Sequence, residues 1–444
     1  VRQRAEPEHT LPLVGVGWVV CASPPNGSTR LSAVPSPHHG RGGEARGGAG
    51  VAMRAVPRVF AILYRKLEAT TVIPAASSVR WWLQRLGLYA LREPLPKAGD
   101  WVLLIDHSVQ IGTVKVCVIL GIRLCDVPFP QRALRFEDMQ VIAVIPVEQS
   151  TGEIVDAQLE QATLRIGIPR QIVSDGGSDV KKGAALFAGR HPETTVTYDA
   201  AHHGAIVLKR RFEDDPQWSE YIGRLGQIKS CIRQTSDAFL ASPSLRPKAR
   251  YMNLESLLKW SRRILDLLDR GASGGRASKR AELRYGWLRD YLASIEKWSR
   301  WEATVRASVS YVRTRGLSVG SEPGLRQHLS ELPSELYDET LATELESFVR
   351  ESSAAAGPDE CLVGSTEVLE SLFGKWKTLE RQESQSGITG LVLSLGALLG
   401  AWPPSRIQAA LEATPVKHVV RWCHDNLPTS VQSQRRITLS GQKV

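Results

Sequence analysis

Two apolar runs that end in aspartate constrain this chain more than anything else in it. Trp101-Val102-Leu103-Leu104-Ile105 leads into Asp106, and Gln171-Ile172-Val173-Ser174 leads into Asp175. A strand with one wet face alternates apolar and polar residues. The first run does not alternate, so it reads as a strand covered on both faces, as in the middle of an α/β sheet. A carboxylate at the end of such a strand stands beside a core, where it must be paired or metal-bound.

The neighbouring segments complete a sheet. Val114 to Leu120 reads as a second strand after the turn residues Gly112-Thr113, and Met139 to Val147 as a third. Ile154, Leu159, Ala162, Leu164 and Ile166 have helical spacing, closed by Gly167-Ile168-Pro169. Gln171 to Ser174 is the fourth strand, Val180 to Ala188 a short helix, and Thr194 to Tyr198 the fifth strand. The order β-β-β-α-β-α-β predicts an α/β fold with a mixed five-stranded sheet, over residues 100–216. If the first strand is central, the fourth can lie parallel beside it. Asp106 and Asp175, 69 residues apart, then approach at adjacent strand ends.

From Gln217 to about Ala355 strand runs disappear. Long helical patterns take over at Leu254 to Leu268, Ala277 to Arg313 and Glu335 to Glu351, the first two parted by Gly271-Ala272-Ser273-Gly274-Gly275. Residues 217–360 therefore read as a large all-helical insertion. Trp260, Trp287, Trp298 and Trp301 lie there among arginines and lysines, either as core anchors or as stacking surfaces for DNA. The sheet domain resumes over 361–444, with a helix bearing Glu370 and apolar helices from Ile388 and Arg406. Glu370 follows Asp175 by 195 residues, so its helix can pack back on the sheet only if the two ends of the insertion lie close together. Three carboxylates at one point repel unless a cation neutralises them. Oxygen donors suit a hard ion such as Mg²⁺ (or Mn²⁺). Two ions about 3.5–4 Å apart would activate a water or DNA 3′-hydroxyl and stabilise the leaving oxygen.

The front of the chain differs again. Pro24 to Gly50 is low-complexity, and residues 1–50 are expected to be disordered. Arg2 and Arg4 before the run Leu11 to Ala22 imitate a signal peptide, but no clean cleavage site follows. Over residues 51–95, a helix from Arg54 to Lys66, a turn at Ile73 to Ser78 and a Ser-capped helix from Val79 to Gly87 form a helix-turn-helix-like pattern. Arg80 and Arg85 would lie on its exposed side as DNA contacts, although any helical hairpin shares the pattern. The formal charge of +10 points to an anionic partner, nucleic acid or a membrane surface. The longest apolar stretch, Ile388 to Trp402, has 15 residues and three glycines, too short to span a bilayer. Six scattered cysteines without a Cys-x-x-Cys pair argue against a disulfide framework or zinc ribbon, and fit a reducing cytosol. Walker, dinucleotide-binding and Gly-x-Ser-x-Gly signatures do not occur.

Three motifs carry a resemblance. Ile105-Asp106-His107-Ser108-Val109-Gln110-Ile111-Gly112 resembles the first motif of DDE transposases from bacterial insertion sequences. Ile172-Val173-Ser174-Asp175-Gly176-Gly177-Ser178-Asp179 is similar to the second, and Val368-Leu369-Glu370-Ser371-Leu372-Phe373-Gly374-Lys375 to the third. The likeness covers roughly residues 51 to 400. It implies a ribonuclease-H-like catalytic domain in which Asp106, Asp175 and Glu370 are the catalytic carboxylates and metal ligands. It implies a transposase that cuts and joins mobile-element ends, acting on double-stranded DNA (terminal inverted repeats and target). It also implies a homodimer or larger assembly on DNA, in a bacterial cytoplasm at the nucleoid. Asp199-Ala200-Ala201-His202 resembles an Asp/Cys-x-x-His signature, in which His202 would touch the scissile phosphate or orient a ligand; otherwise it is a surface or capping histidine. Lys377 follows Glu370 by seven residues, as in a Tyr-Arg-Glu-Lys signature, but Val363 and Thr366 replace its Tyr and Arg. Lys375 and Lys377 read as phosphate contacts or as solvated lysines. Glu367 rivals Glu370 on the same helix face, and Asp179 is either a further ligand or a helix cap. The alternatives in function are an inactive or repurposed transposase-derived DNA-binding protein, and a structure-specific nuclease of the same fold.

Overall fold

The protein is described by a computed structural model that covers residues 18–21, 32–35, 53–66, 73–108, 114–244, 251, 254–381, 388–429, 435 and 438–440. Of the front region, Trp18–Cys21 and Ser32–Pro35 pair as an antiparallel ribbon, where disorder was expected. The rest of 1–50 and the turn at Gly112-Thr113 lie outside the described residues.

Five strands form the main sheet: β1 (Trp101–His107), β2 (Lys115–Arg123), β3 (Gln140–Val147), β4 (Gln171–Ser174) and β5 (Thr195–Tyr198). Their spatial order is β3-β2-β1-β4-β5. β2 runs antiparallel to β1 and β3, whereas β4 is parallel to both β1 and β5. The sheet is therefore mixed, with β1 at its centre, as the element order demands.

Alternation along β1 sends side chains to two separate cores. Trp101, Leu103 and Ile105 pack under α3 (Gly152–Ile166) and α4 (Ser178–Arg190), with Val155, Leu159 and Phe187. Val102 and Leu104 pack on the other face with Leu369, Leu372, Phe373 and Trp376 of α12 (Glu367–Glu380). Burying each such side chain contributes about 1.5–3 kcal/mol. The same parity places Asp106 and, through Val173, Asp175 on the α12 side.

The N-terminal helices are α1 (Val56–Lys66) and α2 (Ala76–Arg92). α2 is not the exposed, Ser-capped second helix of a DNA-binding motif. Its N-cap is Ala75, with no side-chain hydrogen bond. Val79, Leu83 and Leu86 are buried against Leu391, Ala397 and Ile407 from the far end of the chain. At Gly87 a Cβ would overlap the carbonyl oxygen of Leu393, so only glycine allows this approach. Residues 76–92 thus belong to the sheet domain's outer layer, together with Ser394–Ala397 and with α14 (Pro404–Ala413) and α15 (Val416–Asn426).

The helical block comprises α5 (Ala200–Glu213), α6 (Pro216–Ile232), α7 (Glu255–Asp269), α8 (Gly275–Tyr285), α9 (Leu292–Arg315), α10 (Ser321–Ser330) and α11 (Glu339–Ser353). Val207, Leu208 and Phe212 of α5 already share its core, so the block begins one helix before Gln217. The helix expected from Ala277 to Arg313 is broken by a 3₁₀ turn at Gly286–Tyr291. Tyr285, Leu288 and Tyr291 are all buried, and a three-residue repeat lines up on a 3₁₀ turn but not on an α-helix. Trp298 and Trp301 are buried, and Trp298 donates its Nε1–H to Asp215 Oδ2 at 2.8 Å. Trp260 and Trp287 pack on the same cluster, so all four are core anchors. No helix among the described residues is long and apolar enough to cross a membrane.

Candidate active site

Parallel pairing puts Ile105 opposite Ser174, so the next residues, Asp106 and Asp175, stand side by side where β1 and β4 end. Asp106 Oδ1 accepts the His107 backbone N–H at 2.6 Å. Asp175 Oδ1 accepts the Gly177 N–H at 3.0 Å, across a turn made at Gly176. Gly176 has φ +79°, a left-handed conformation that favours glycine, and a Cβ there would strike the Tyr198 ring. The Asp-Gly-Gly sequence is thus the device that ends β4 and starts α4 within three residues.

Glu370 arrives on α12, and the chain secures that helix with buried polar groups. Gln171, at the start of β4, is fully buried. Its amide donates to Val363 O (2.6 Å) and to Thr197 Oγ1 (2.6 Å), and its Oε1 accepts the Val363 N–H (2.9 Å). Asp199, directly after β5, is also fully buried and caps α5 by accepting the Ala201 N–H at 2.6 Å. Its other oxygen accepts the Thr366 N–H at 3.0 Å and the Thr366 hydroxyl. Thr366 is the N-cap residue of α12. One carboxylate therefore joins the N-termini of two helices, one leading into the insertion and one carrying Glu370. An antiparallel bridge between Leu317 and Leu362, 2.8 Å in each direction, closes the neck just before.

Burial first, and then the charge of Asp175, push the Asp106 carboxyl up to about 8; Glu370 and Asp179 push the same way. Burial and then the charges of Asp199, Glu367 and Asp175 push Glu370 up to about 7. Both carboxyls thus feel the charge of Asp175. Asp179 is not the helix cap; the N-cap of α4 is Gly177. It lies 3.9 Å from His107 Nδ1, and His107 Nε2 meets Ser150 Oγ at 3.2 Å. Burial lowers the His107 pKa, although the nearby Asp179 carboxylate acts to raise it. Burial opposes the charged form of Asp179, but hydrogen bonding from Ser150 and the field of His107 prevail and lower its pKa.

The rival Glu367 is engaged elsewhere. Both its oxygens accept from Arg313 at 2.7 and 2.8 Å, whereas Glu370 makes no such pair and feels the charges of Asp199, Glu367 and Asp175. His202 lies in the first turn of α5, edge-on to Tyr198 at 6.1 Å. Tyr198 itself is pushed up to about 12 by burial and then by the charges of Asp175 and Asp199. His202 Nδ1 is buried without a partner among the described residues.

The expected basic contacts are mostly elsewhere. Arg85 is not exposed: it donates to Thr414 O at 2.6 Å and to Leu411 O, closing the C-terminus of α14. Arg80 is half-buried, 6.0 Å from the Trp81 ring centroid. Lys375 sets its ammonium 4.0 Å from the Phe136 ring centroid, away from the carboxylates, and burial lowers its pKa. Lys377, two turns beyond Glu370, shares the face of Glu370 by helical spacing. Arg54, in the turn before α1, and Arg58 and Arg65, two turns apart on α1, are all exposed.

The donor set suits a divalent cation in kind. It offers only carboxylate oxygens, partly buried and short of positive charge. Among the described residues, no three acidic, histidine or cysteine side chains already converge tightly enough to hold an ion.

No protein-family model and no curated protein matches the sequence. Among solved structures, the chain is similar to one in the "Drosophila P element transposase strand transfer complex". Identity is 11%, 79% of this chain and 90% of that chain are covered, and the TM-score is 0.38. At that score the likeness carries no argument about this chain.

Proposed function

We propose that this chain is a DDE-type DNA transposase, which cleaves and joins mobile-element ends with Asp106, Asp175 and Glu370 as its catalytic carboxylates. One observation carries the reading: two aspartates stand at adjacent ends of parallel β1 and β4, on the sheet face against which α12 brings Glu370. Asp106 and Asp175 would hold a pair of Mg²⁺ or Mn²⁺ ions, with Glu370 as the third ligand. Bound ions would supply activation of the attacking hydroxyl and stabilisation of the leaving oxygen.

The remaining roles belong to side chains of the chain itself. The strand ends fix the two aspartates on rigid elements, and the Asp199–Thr366 latch fixes the start of the helix that carries Glu370. His107 stands next to Asp106 in the chain and sets its Nδ1 3.9 Å from Asp179. Lys377 and the exposed Arg54, Arg58 and Arg65 are the cations offered to phosphates. DNA is accordingly the partner, and joining two ends calls for at least a dimer on it. A bacterial insertion-sequence origin, with the protein at the nucleoid, accompanies this reading.

The test is cleavage and strand transfer on duplexes ending in the element's terminal repeats, with Mg²⁺ or Mn²⁺. Asp106→Asn should lower the rate on the order of 10³-fold or more, because a metal ligand contributes several kcal/mol to the transition state. Undiminished activity would remove the site assignment. DNA binding without cleavage under either metal would instead identify an inactive, transposase-derived DNA-binding protein.

A further inference from the structure

The positive charge of this chain is concentrated in one place. Residues 224 to 289 hold fifteen lysines and arginines against five acidic residues, an excess equal to the formal +10 of the whole sequence. The described residues of this stretch run from α6 to the 3₁₀ turn before α9 and include α7 and α8. On α8 the buried side is Ser278, Ala281 and Tyr285. The opposite side carries Arg276, Lys279, Arg280 and Arg284, whose spacing of three and four residues makes one strip.

The acids near this strip are already neutralised. Asp237 lies 3.2 Å from both Arg280 and Arg284. Glu282 is held by Arg289 in a two-pronged pair at 2.7 and 2.8 Å. Arg280 also bonds Ser236, which draws the end of α6, with exposed Arg233, up to α8. Arg276 and Lys279 are exposed and make no hydrogen bond or ion pair to any described residue. Holding like charges together in this way is unfavourable unless an anion shares the surface.

We propose that this face of α8, with Arg233 beside it, is a docking surface for the phosphate backbone of duplex DNA. The inference rests on the DNA reading of the site and adds a second, non-catalytic contact to it. From Arg276 to Arg284 the strip runs about 12 Å along the helix. Duplex DNA carries one charge per about 1.7 Å of axis, so several phosphates fall within that length. Guanidinium groups suit phosphate oxygens, and contacts to phosphate position a duplex without reading its sequence. An anionic membrane fits less well. A helix that lies in a bilayer inserts an apolar face, whereas α8 buries its apolar side in the protein and adds to the strip only Leu283, 85% exposed.

The experiment measures binding of the full chain to a mixed-sequence duplex across a range of salt, for wild type and for Arg276→Glu/Lys279→Glu. Arg276→Ala/Lys279→Ala serves as the milder pair, and thermal melting checks the fold. The glutamate pair should bind roughly tenfold or more weakly at low salt, and its log–log salt slope should fall by about 2, at about 0.9 per lost phosphate contact. The alanine pair should show the same fall in slope with a smaller loss of affinity. Unchanged affinity and slope in both pairs overturn the docking surface. So does loss of binding to anionic phospholipid vesicles while duplex binding persists. Metal-dependent cleavage, compared with Asp106→Asn, is scored separately. If the duplex docks through these residues but Asp106→Asn cleaves like wild type, the docking surface stands and the active-site reading falls.

Discussion

Asp106 and Asp199 lie at the ends of two strands of one sheet, and the chain treats them in opposite ways. Asp199 is sealed in the neck between sheet and insertion, and accepts from Ala201 N, Thr366 N and the Thr366 hydroxyl, at two helix N-termini. Its charge is balanced by oriented peptide dipoles, so it needs no cation. Asp106 receives one backbone N–H and feels the charges of three other carboxylates, Asp175, Glu370 and Asp179. The fold thus satisfies one buried carboxylate fully and sets the others against like charges. The difference separates a structural latch from the carboxylates proposed as the catalytic set.

The largest effect expected from this contrast is on pH dependence. Asp106 and Glu370 have folded pKa values of about 8 and about 7, well above the ordinary 3.8 and 4.5. Between roughly pH 4 and 8 the folded chain therefore holds protons that the unfolded chain has released. The slope of unfolding free energy with pH is then negative. Their stabilisation is complete below about pH 4 and is lost as pH rises through the folded values. Metal-free protein should melt at steadily lower temperature from pH 5 to 8.5, a fall on the order of a few kcal/mol. Asp106→Asn should flatten that fall, and Mg²⁺ should restore wild type, but not the variant, at high pH. Parallel melting curves for the two proteins would mean that Asp106 is not the starved group.

The latch should respond to mutation, not to metal. Asp199→Ala leaves Thr366 N, its hydroxyl and Ala201 N buried without acceptors, which costs about 2–4 kcal/mol. Because Thr366 starts α12, the same change should also weaken Mg²⁺ binding measured by calorimetry, about 10–100-fold, as for residues that orient a ligand. Asp199→Asn keeps an oxygen acceptor and should recover part of both. A variant that loses stability but keeps its Mg²⁺ affinity would confine Asp199 to holding the neck closed. A smaller effect of the same kind is expected at Gln171. Replacement by Leu preserves the volume, strands Val363 N and leaves Val363 O only the long bond from the Thr197 hydroxyl (3.4 Å), at about 1–3 kcal/mol in urea unfolding, with little change in metal affinity.

These two sets of residues were unequally legible in the sequence. The unbroken apolar run Trp101–Ile105 announces a doubly covered strand because a core excludes polar side chains, and Asp175-Gly176-Gly177 announces a turn because Gly176 must take a positive φ. Both signals are local. The latch is not local: Asp199 and Thr366 are 167 residues apart, and each alone reads as an ordinary cap or turn residue. Gln171 likewise looks like a polar strand start, although its partners lie 26 and 192 residues away. The N-terminal region was misread for a related reason. Arg80 and Arg85 fall on a helix whose outer side is covered by Leu391, Ile407 and Trp422, residues more than 300 positions downstream. Nothing within α2 foretells that cover. Amphipathic spacing shows which side of a helix is apolar, but not that a later helix will cover the rest.

The smallest expected effect decides between two glutamates one turn apart. Glu367 pairs with Arg313 where both side chains remain well exposed, at 43% and 41%. Such a pair contributes at most about 1 kcal/mol, because solvent screens it and two long side chains lose freedom. Glu367→Gln should therefore barely move the melting temperature. It should also lower the Glu370 pKa slightly, since the charge of Glu367 is among those holding it up. Metal-dependent cleavage should survive it and vanish in Glu370→Gln, with the two variants assayed side by side in Mg²⁺. The reverse ranking would move the third carboxylate to Glu367. It would require the Arg313 pair to open in the DNA-bound form, and it would shift the site one turn along α12 toward the latch.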